Sequence, residues 1–269
     1  MSLSRKQNKL FEVYVAKRSL LGVNPRDFDI QDNSKRARLE RLGLTSLRYK
    51  LILDAGSGPG TYGLLLAQKK NEVVGVDISY DAVKMAKKRA FIKGVDQLFH
   101  VVVADLENLP LRDGIFDVCF SGWVLHHFTS LEVIKELARV LKSGARIALA
   151  EPNEASYIFR ITRYAEEIFS SLLSEVGLHT QNVTPHSYED YCRSLRKYGF
   201  NIISVSSCYT MEPVILPRNI SFSKRLFLLF SLFLRGLFAY FITKLSSPPI
   251  NGTDLLIIAT LKHKSCELR

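Results

Sequence analysis

Between Leu51 and Gly60 the chain runs through three apolar residues into an acid and then sets a glycine at every second position, Leu-Ile-Leu-Asp-Ala-Gly-Ser-Gly-Pro-Gly. Such a run reads as a buried strand that ends in a tight loop. The helix after it is expected to begin near Thr61. Residues without a Cβ let the backbone turn sharply and let a ligand touch the main chain. The unpaired N–H groups at the start of the next helix then face whatever occupies the crevice at the end of the strand.

The rest of the chain repeats this unit. Strands are expected near 51–54, 73–77, 99–104, 115–120 and 145–151, short and almost wholly apolar, as strands covered by helices on both faces should be. Helices near 61–69, 79–93 and 130–141 separate most of them. Ser187, with Asp190 three residues on, forms a helix start, and that helix stops at Gly199. A sixth strand follows at 201–208 and a last one at 255–261. The alternation predicts an α/β fold, a doubly wound parallel sheet with ligands at the carboxyl ends of its strands. Asp54, Asp77, Asp105, Ser121 and Glu151 all fall at such ends, whereas Asp113-Gly114 reads as a surface turn.

Gly58, Gly60 and Gly63 satisfy G-x-G-x-x-G, the dinucleotide fingerprint, whose helix N-terminus takes a pyrophosphate. Asp54 argues against that ligand, because an acid at the strand end would lie close to two phosphate charges and repel them. S-adenosylmethionine has no phosphate and brings an ammonium and a sulfonium, so it suits Asp54 better. The motif Asp54-x-Gly56-x-Gly58-x-Gly60 resembles the first motif of class I S-adenosylmethionine-dependent methyltransferases, and the likeness continues in order. Val73-Val74-Gly75-Val76-Asp77-Ile78-Ser79 resembles the second strand, whose acid holds the two ribose hydroxyls. Ala104-Asp105-Leu106 resembles the element whose acid meets the adenine amine, Phe116-Asp117-Val118-Cys119-Phe120-Ser121 the fourth strand, and Leu137 to Ala145 the helix and turn before the fifth. Ser143-Gly144-Ala145 stands where family members often show Pro-Gly-Gly. The resemblance covers about residues 48–210 and a last strand near 255–262. It implies a seven-stranded, mostly parallel, Rossmann-like sheet, S-adenosyl-L-methionine as cofactor, and a cofactor site of Asp54, Gly56, Gly58, Gly60, Asp77, Ile78, Asp105, Leu106 and Ser121. Plainer readings stand beside it: Ser79 as helix cap with Asp77 supporting the turn, Asp105 capping a turn before Pro110, and Asp54 ordering the glycine loop through its N–H groups.

Gly122-Trp123-Val124-Leu125-His126-His127-Phe128 follows the fourth strand, where the transferable methyl group is expected. Methyl transfer is an in-line displacement, so the protein mainly positions the nucleophile and excludes water. A base is needed only when the nucleophile must lose a proton, and a histidine could take it from a phenol or an acidic carbon. His127 is the first candidate and His126 the second; alternatively one of them caps a helix or packs beside Trp123. The pair resembles that of small-molecule and quinone-type members. His179 and His186 read as surface or packing residues.

A helical N-terminal cap is expected over 1–48, with helices at 3–21 and from near Asp32 to Gly43, followed by a methyltransferase domain over 49–269 with insertions at 152–185 and 213–250. The net charge of +11 is uneven: the ends 1–50 and 213–269 carry +7 and +6, and residues 51–212 carry −2. Basic flanks suggest a polyanionic neighbour. In 213–250 an apolar run, Leu226 to Leu245, carries Arg235 at its middle, which costs a spanning helix roughly 3 kcal/mol. On a helix Lys224, Arg225, Ser231, Arg235 and Thr243 share one stripe opposite Phe227, Phe230, Phe233 and Leu234, the pattern of an apolar helical insertion that lies on an anionic membrane through 224–244, covers the pocket as a lid, or packs on its own domain or a second subunit. The four cysteines lack metal or redox spacing, and no secretory signal is evident, so no metal and a cytoplasmic, reducing setting are expected. The reading is a methyltransferase for a small, lipophilic acceptor. The alternatives are an RNA methyltransferase using the basic ends, although this chain has Ser121-Gly122-Trp123-Val124 where amino-directed nucleic-acid enzymes often carry Asn/Asp-Pro-Pro-Tyr/Phe, and a non-catalytic scaffold that binds the cofactor.

Overall fold

Apolar side chains alternate across each strand between two cores, so the sheet must be covered on both sides. In the computed structural model, which describes residues 32–153, 156, 160, 186–208 and 253–263, Ile52, Val73, Val118 and Phe120 face one core while Leu53, Val76, Cys119 and Leu149 face the other. Burying one such aliphatic side chain contributes about 1.5–3 kcal/mol before entropy is counted.

The elements run α1 (Asp32–Arg41), β1 (Leu51–Ala55), α2 (Thr61–Ala67), β2 (Glu72–Asp77), α3 (Tyr80–Ile92), β3 (Phe99–Val103), β4 (Phe116–Gly122), a 3₁₀ turn (Leu125–His127), α4 (Val133–Val140), β5 (Leu141–Pro152), α5 (Tyr188–Lys197), β6 (Phe200–Cys208) and β7 (Asp254–Leu261). The strands form one seven-stranded sheet in the order β3-β2-β1-β4-β5-β7-β6. Strands β1 to β5 are parallel, and β7 is antiparallel to both β5 and β6. Residues of α1, α2 and α3 supply one core, and those of α4 and α5 the other. The sheet order reverses at β1 and β4, where a doubly wound sheet opens its ligand crevice.

Local chemistry sets several boundaries. Ser79 caps α3 by accepting the Ala82 N–H at 3.3 Å. Ser187 and Asp190 close a reciprocal capping box at the start of α5, as the spacing predicts. The fifth strand begins at Leu141, earlier than the sequence suggests, because Leu141 pairs with Phe116 before the register jumps to Val118–Arg146. The expected turn survives as this irregularity, with Gly144 at φ 76°. The helix expected over 130–141 is correspondingly shorter. The expected helix at 3–21 and the insertion 213–250 lie outside the described residues, as does nearly all of 152–185.

Beneath the glycine loop the ring of Phe99 occupies the space that three glycines leave. A Cβ on Gly60, Gly63 or Gly75 would come within 2.7, 2.4 and 2.9 Å of that ring. Gly63→Ala is therefore expected to cost about 1–3 kcal/mol through overpacking. Phe99→Leu in the same chain should recover part of that loss in urea denaturation, and strictly additive costs would show that the two sites do not press on each other.

Candidate active site

The glycine loop is pinned to the end of β2. The N–H groups of Gly56 and Ser57 both donate to the Val76 carbonyl, at 2.8 and 2.9 Å, and Gly60 N–H donates to Ser57 at 2.9 Å. Gly56 and Gly60 hold φ 74° and 80°, a left-handed backbone that favours glycine. A Cβ on Gly56 would strike Val124, whereas one on Gly58 would meet nothing within 4 Å. The loop thus packs closely except at Gly58, where it faces open space. Arg89, buried on α3, ties the loop from below by donating to the Pro59 carbonyl at 2.7 Å and to Thr61 Oγ1 at 3.0 Å.

Asp77 makes the turn contacts of the plainer reading of its position. Its Oδ2 accepts the Gly58 N–H at 2.8 Å and its Oδ1 the Ser79 N–H at 2.9 Å. The same carboxylate thereby shapes the loop and stands at the crevice edge, and burial raises its pKa despite those N–H groups. Ile78 lies half-buried beside it. Asp105 makes the turn anticipated for it, its Oδ1 accepting the Glu107 N–H at 3.0 Å, and it is half-buried. Leu106 packs into the core with Leu109 and Leu125, so it can meet a ligand only through its main chain. Ser121 is buried at the end of β4, and its Oγ has no partner among the described residues; the same holds for Ser57 Oγ and Asp54 Oδ2.

A second buried acid organises the other half of the crevice. Glu151, 1% exposed at the end of β5, accepts the consecutive N–H groups of Val124, Leu125 and His126 at 3.1, 3.0 and 3.4 Å. It also meets His126 Nδ1 at 2.8 Å. This carboxylate folds the chain after β4 into the 3₁₀ turn that carries both histidines. His126 is buried and its Nε2 has no partner among the described residues. The His127 ring lies 4.1 Å from it, and burial followed by the His126 charge pulls the His127 pKa down to about 3. Trp123 holds φ 60° with its ring edge-on to His126 at 6.0 Å. Such a backbone is strained for a bulky residue.

From α1 the buried guanidinium of Arg38 reaches into the same region. It donates to Asp254 Oδ2 at 2.9 Å and Tyr62 Oη at 3.0 Å, and lies 5.6 Å from the Trp123 ring. This contact, and the roles of Glu151 and Arg89, are not legible in the sequence, because each partner lies 24 or more residues away. The presence of Glu151 at a strand end was the one available signal. His186 is a packing residue as expected, meeting the Phe128 carbonyl at 2.8 Å and the Tyr191 ring. Among the described residues Cys119, Cys192 and Cys208 are buried free thiols, and no cluster could hold a metal ion.

Asp54, 1% exposed on β1, is raised from 3.8 to about 7, first by desolvation, with the Gly63 N–H opposing, Asp77 adding and Lys35 opposing. The folded protein therefore keeps a proton that the unfolded chain loses between about pH 4 and about pH 7. This group's contribution to stability falls as pH rises through that window and is level above it. Relative to wild type, Asp54→Asn should gain stability across it by up to about 1.4 kcal/mol per pH unit. Urea midpoints that differ by a constant amount from pH 4 to pH 7 would contradict the assignment.

Residues 53–149 match the family model described as a methyltransferase domain. The chain is 35% identical over 97 residues to a malonyl-[acyl-carrier protein] O-methyltransferase of Hamiltonella defensa, covering 36% of this chain and 35% of that protein. It is 30% identical over 180 residues to a sarcosine/dimethylglycine N-methyltransferase of Halorhodospira halochloris, covering 65% and 61%. The chain thus spans about a third to three fifths of the length of these relatives. A solved structure of geranyl diphosphate C-methyltransferase from Streptomyces coelicolor, in complex with Mg2+, geranyl diphosphate and S-adenosyl-L-homocysteine, shares the fold with a TM-score of 0.55 at 14% identity, over 84% of this chain and 78% of that one. Over residues 53–149 the chain is thus similar to a methyltransferase domain, carried on the seven-stranded sheet described above.

Proposed function

We propose that this protein transfers a methyl group from S-adenosyl-L-methionine to a small acceptor. The observation that carries the reading is the glycine loop held against β2 by Asp77 and Val76, open at Gly58, with the buried acid Asp54 behind it. Two acids on this rim disfavour a pyrophosphate and favour a cationic nucleoside. The main chain of Gly56, Gly58 and Gly60 would line the cofactor, with Asp77 and Ile78 at its ribose, and Asp105 and Leu106 at its adenine. Asp54 and Ser121 would serve the amino-acid and methyl end. When bound, the cofactor supplies an activated methyl group. Its ammonium favours the ionised form of Asp54, so binding tightens as pH rises toward 7 and releases a proton.

The acceptor side would comprise 122–128, with His126 and His127, and the insertions 152–185 and 213–250. In support, the described flanks of those insertions converge: Pro152 pairs with Asp254, and Asp254 with Cys208. The relatives named above for malonyl-[acyl-carrier protein] and for sarcosine and dimethylglycine favour a small acceptor. Asp77→Ala should weaken S-adenosylhomocysteine binding by about 100-fold or more in calorimetry while the fold persists, since hydrogen bonds to a carboxylate contribute about 1.5–3 kcal/mol each. Unchanged affinity would remove Asp77 from the ribose. Radiolabelled cofactor incubated with cell extract should place label in the small-molecule or lipid fraction, and label confined to RNA or protein would overturn the acceptor class.

The segment 224–244 lies outside the described residues; among those described, no helix is long and apolar enough to cross a membrane. Its stripe of Lys224, Arg225 and Arg235 opposite phenylalanines supports peripheral contact with an anionic membrane and a lipid-like acceptor. Charge reversal at Arg225 and Arg235 should then reduce sedimentation with anionic liposomes several-fold, and equal sedimentation would refute this contact.

A further inference from the structure

We propose that Glu151 and His126 form a carboxylate–imidazole pair whose free Nε2 takes a proton from the acceptor, so the acceptor is a phenol- or enol-type acid, methylated only once deprotonated. This rests on the methyltransferase reading above and adds to it the base, its positioning residue and the chemical class of the acceptor.

The geometry points this way at three places. The Glu151 side chain is fixed by three backbone N–H groups before it meets the ring, which places its Oε2 2.8 Å from Nδ1, where it accepts a proton carried on that nitrogen. That leaves Nε2 as a lone-pair acceptor, and it is enclosed and unmatched among the described residues. A buried polar atom in that condition costs roughly 1–3 kcal/mol unless something pairs with it. The ring also sits in the turn directly after β4, edge-on to Trp123, at the carboxyl end of the strand beside the glycine loop. His127 is a poor base, because burial pulls its pKa down to about 3. The titratable or charged groups facing the pair are His127 from the same turn and Arg38 from α1 across the Trp123 ring.

The step balances without a further reactant. The acceptor O–H or acidic C–H gives its proton to Nε2. The electron pair left behind forms the bond to the methyl carbon, and the pair of the breaking sulfur–carbon bond stays on sulfur. The imidazolium is held beside Glu151 until it returns its proton to water. A carboxylate acceptor, already ionised, and an amine, already nucleophilic in its neutral form, make no use of such a base.

His126→Asn keeps a donor at the Nδ1 position and removes Nε2. With radiolabelled methyl donor and four probes, a substituted phenol, a β-diketone, a fatty acid and a secondary amine, label should enter only the first two. Transfer should fall about 100- to 10,000-fold in His126→Asn, and the deficit should shrink as pH approaches the probe's own pKa. S-adenosylhomocysteine affinity should be unchanged. Nitrogen-edited NMR of the S-adenosylhomocysteine complex should show His126 protonated on Nδ1 alone, a preference weakened in Glu151→Gln. Label in the acid or amine, equal transfer by His126→Asn, a proton on Nε2, or no label in any probe despite cofactor binding would each overturn the proposal. Failure of the wild-type protein to bind S-adenosylhomocysteine would instead remove the methyltransferase reading beneath it.

Discussion

The crevice is governed by the cost of keeping carboxylates out of water. Three acids sit at the ends of β1, β2 and β5, and they differ in how many main-chain N–H groups come to meet them. Glu151 receives three, and with them it shapes the turn after β4. Asp77 receives two, and with them it shapes the glycine loop and the start of α3. At Asp54 desolvation carries the pKa up to about 7 against the opposing Gly63 N–H. Such N–H groups oppose the rise that burial imposes on a carboxyl pKa, and at Asp77 and Asp54 burial prevails. The loops of the site are therefore folded around the acids, and the least served acid remains for a ligand's charge.

The same loops are limited sterically from below. Phe99 fills the gap that Gly60, Gly63 and Gly75 leave, so the loop, α2 and β2 close on one ring. On the far side Arg38 carries α1 onto Asp254, Tyr62 and Trp123. Removing one partner from a buried ion pair of this kind costs about 3–5 kcal/mol. The first described helix is thus fastened to β7 and to the residue that follows β4, which joins chain segments more than two hundred residues apart.

Much of this could be read from the sequence where the signal is local. The strand–glycine–helix unit at 51–67, the Ser79 cap, the capping box of Ser187 and Asp190, and the order of strands all follow from residues within a few positions of one another. The turn made by Asp105 was legible for the same reason. What escaped was long-range. Nothing near Glu151 announces that its partners are Val124 to His126, and nothing near Arg38 announces Asp254. Gly63 and Gly75 fit a motif and an apolar run, yet their service to Phe99 appears only once β3 lies beside β2. The early start of β5 was hidden because Leu141 ends an apolar helical pattern and begins a strand with the same side chain.

The antiparallel placement of β7 has one further consequence. Cys208, the last residue of β6, pairs with Asp254, the first of β7, and Asp254 pairs in turn with Pro152 at the end of β5. The 45 residues between Cys208 and Asp254 connect a single pair of adjacent backbone positions. In topological terms they are the tip of a hairpin, and lengthening such a tip adds only about 0.6 kcal/mol of closure entropy per doubling. The fold thus has a grafting point on its rim, where one lineage could exchange an entire tip for another of different size while every rung of the ladder below keeps its partner.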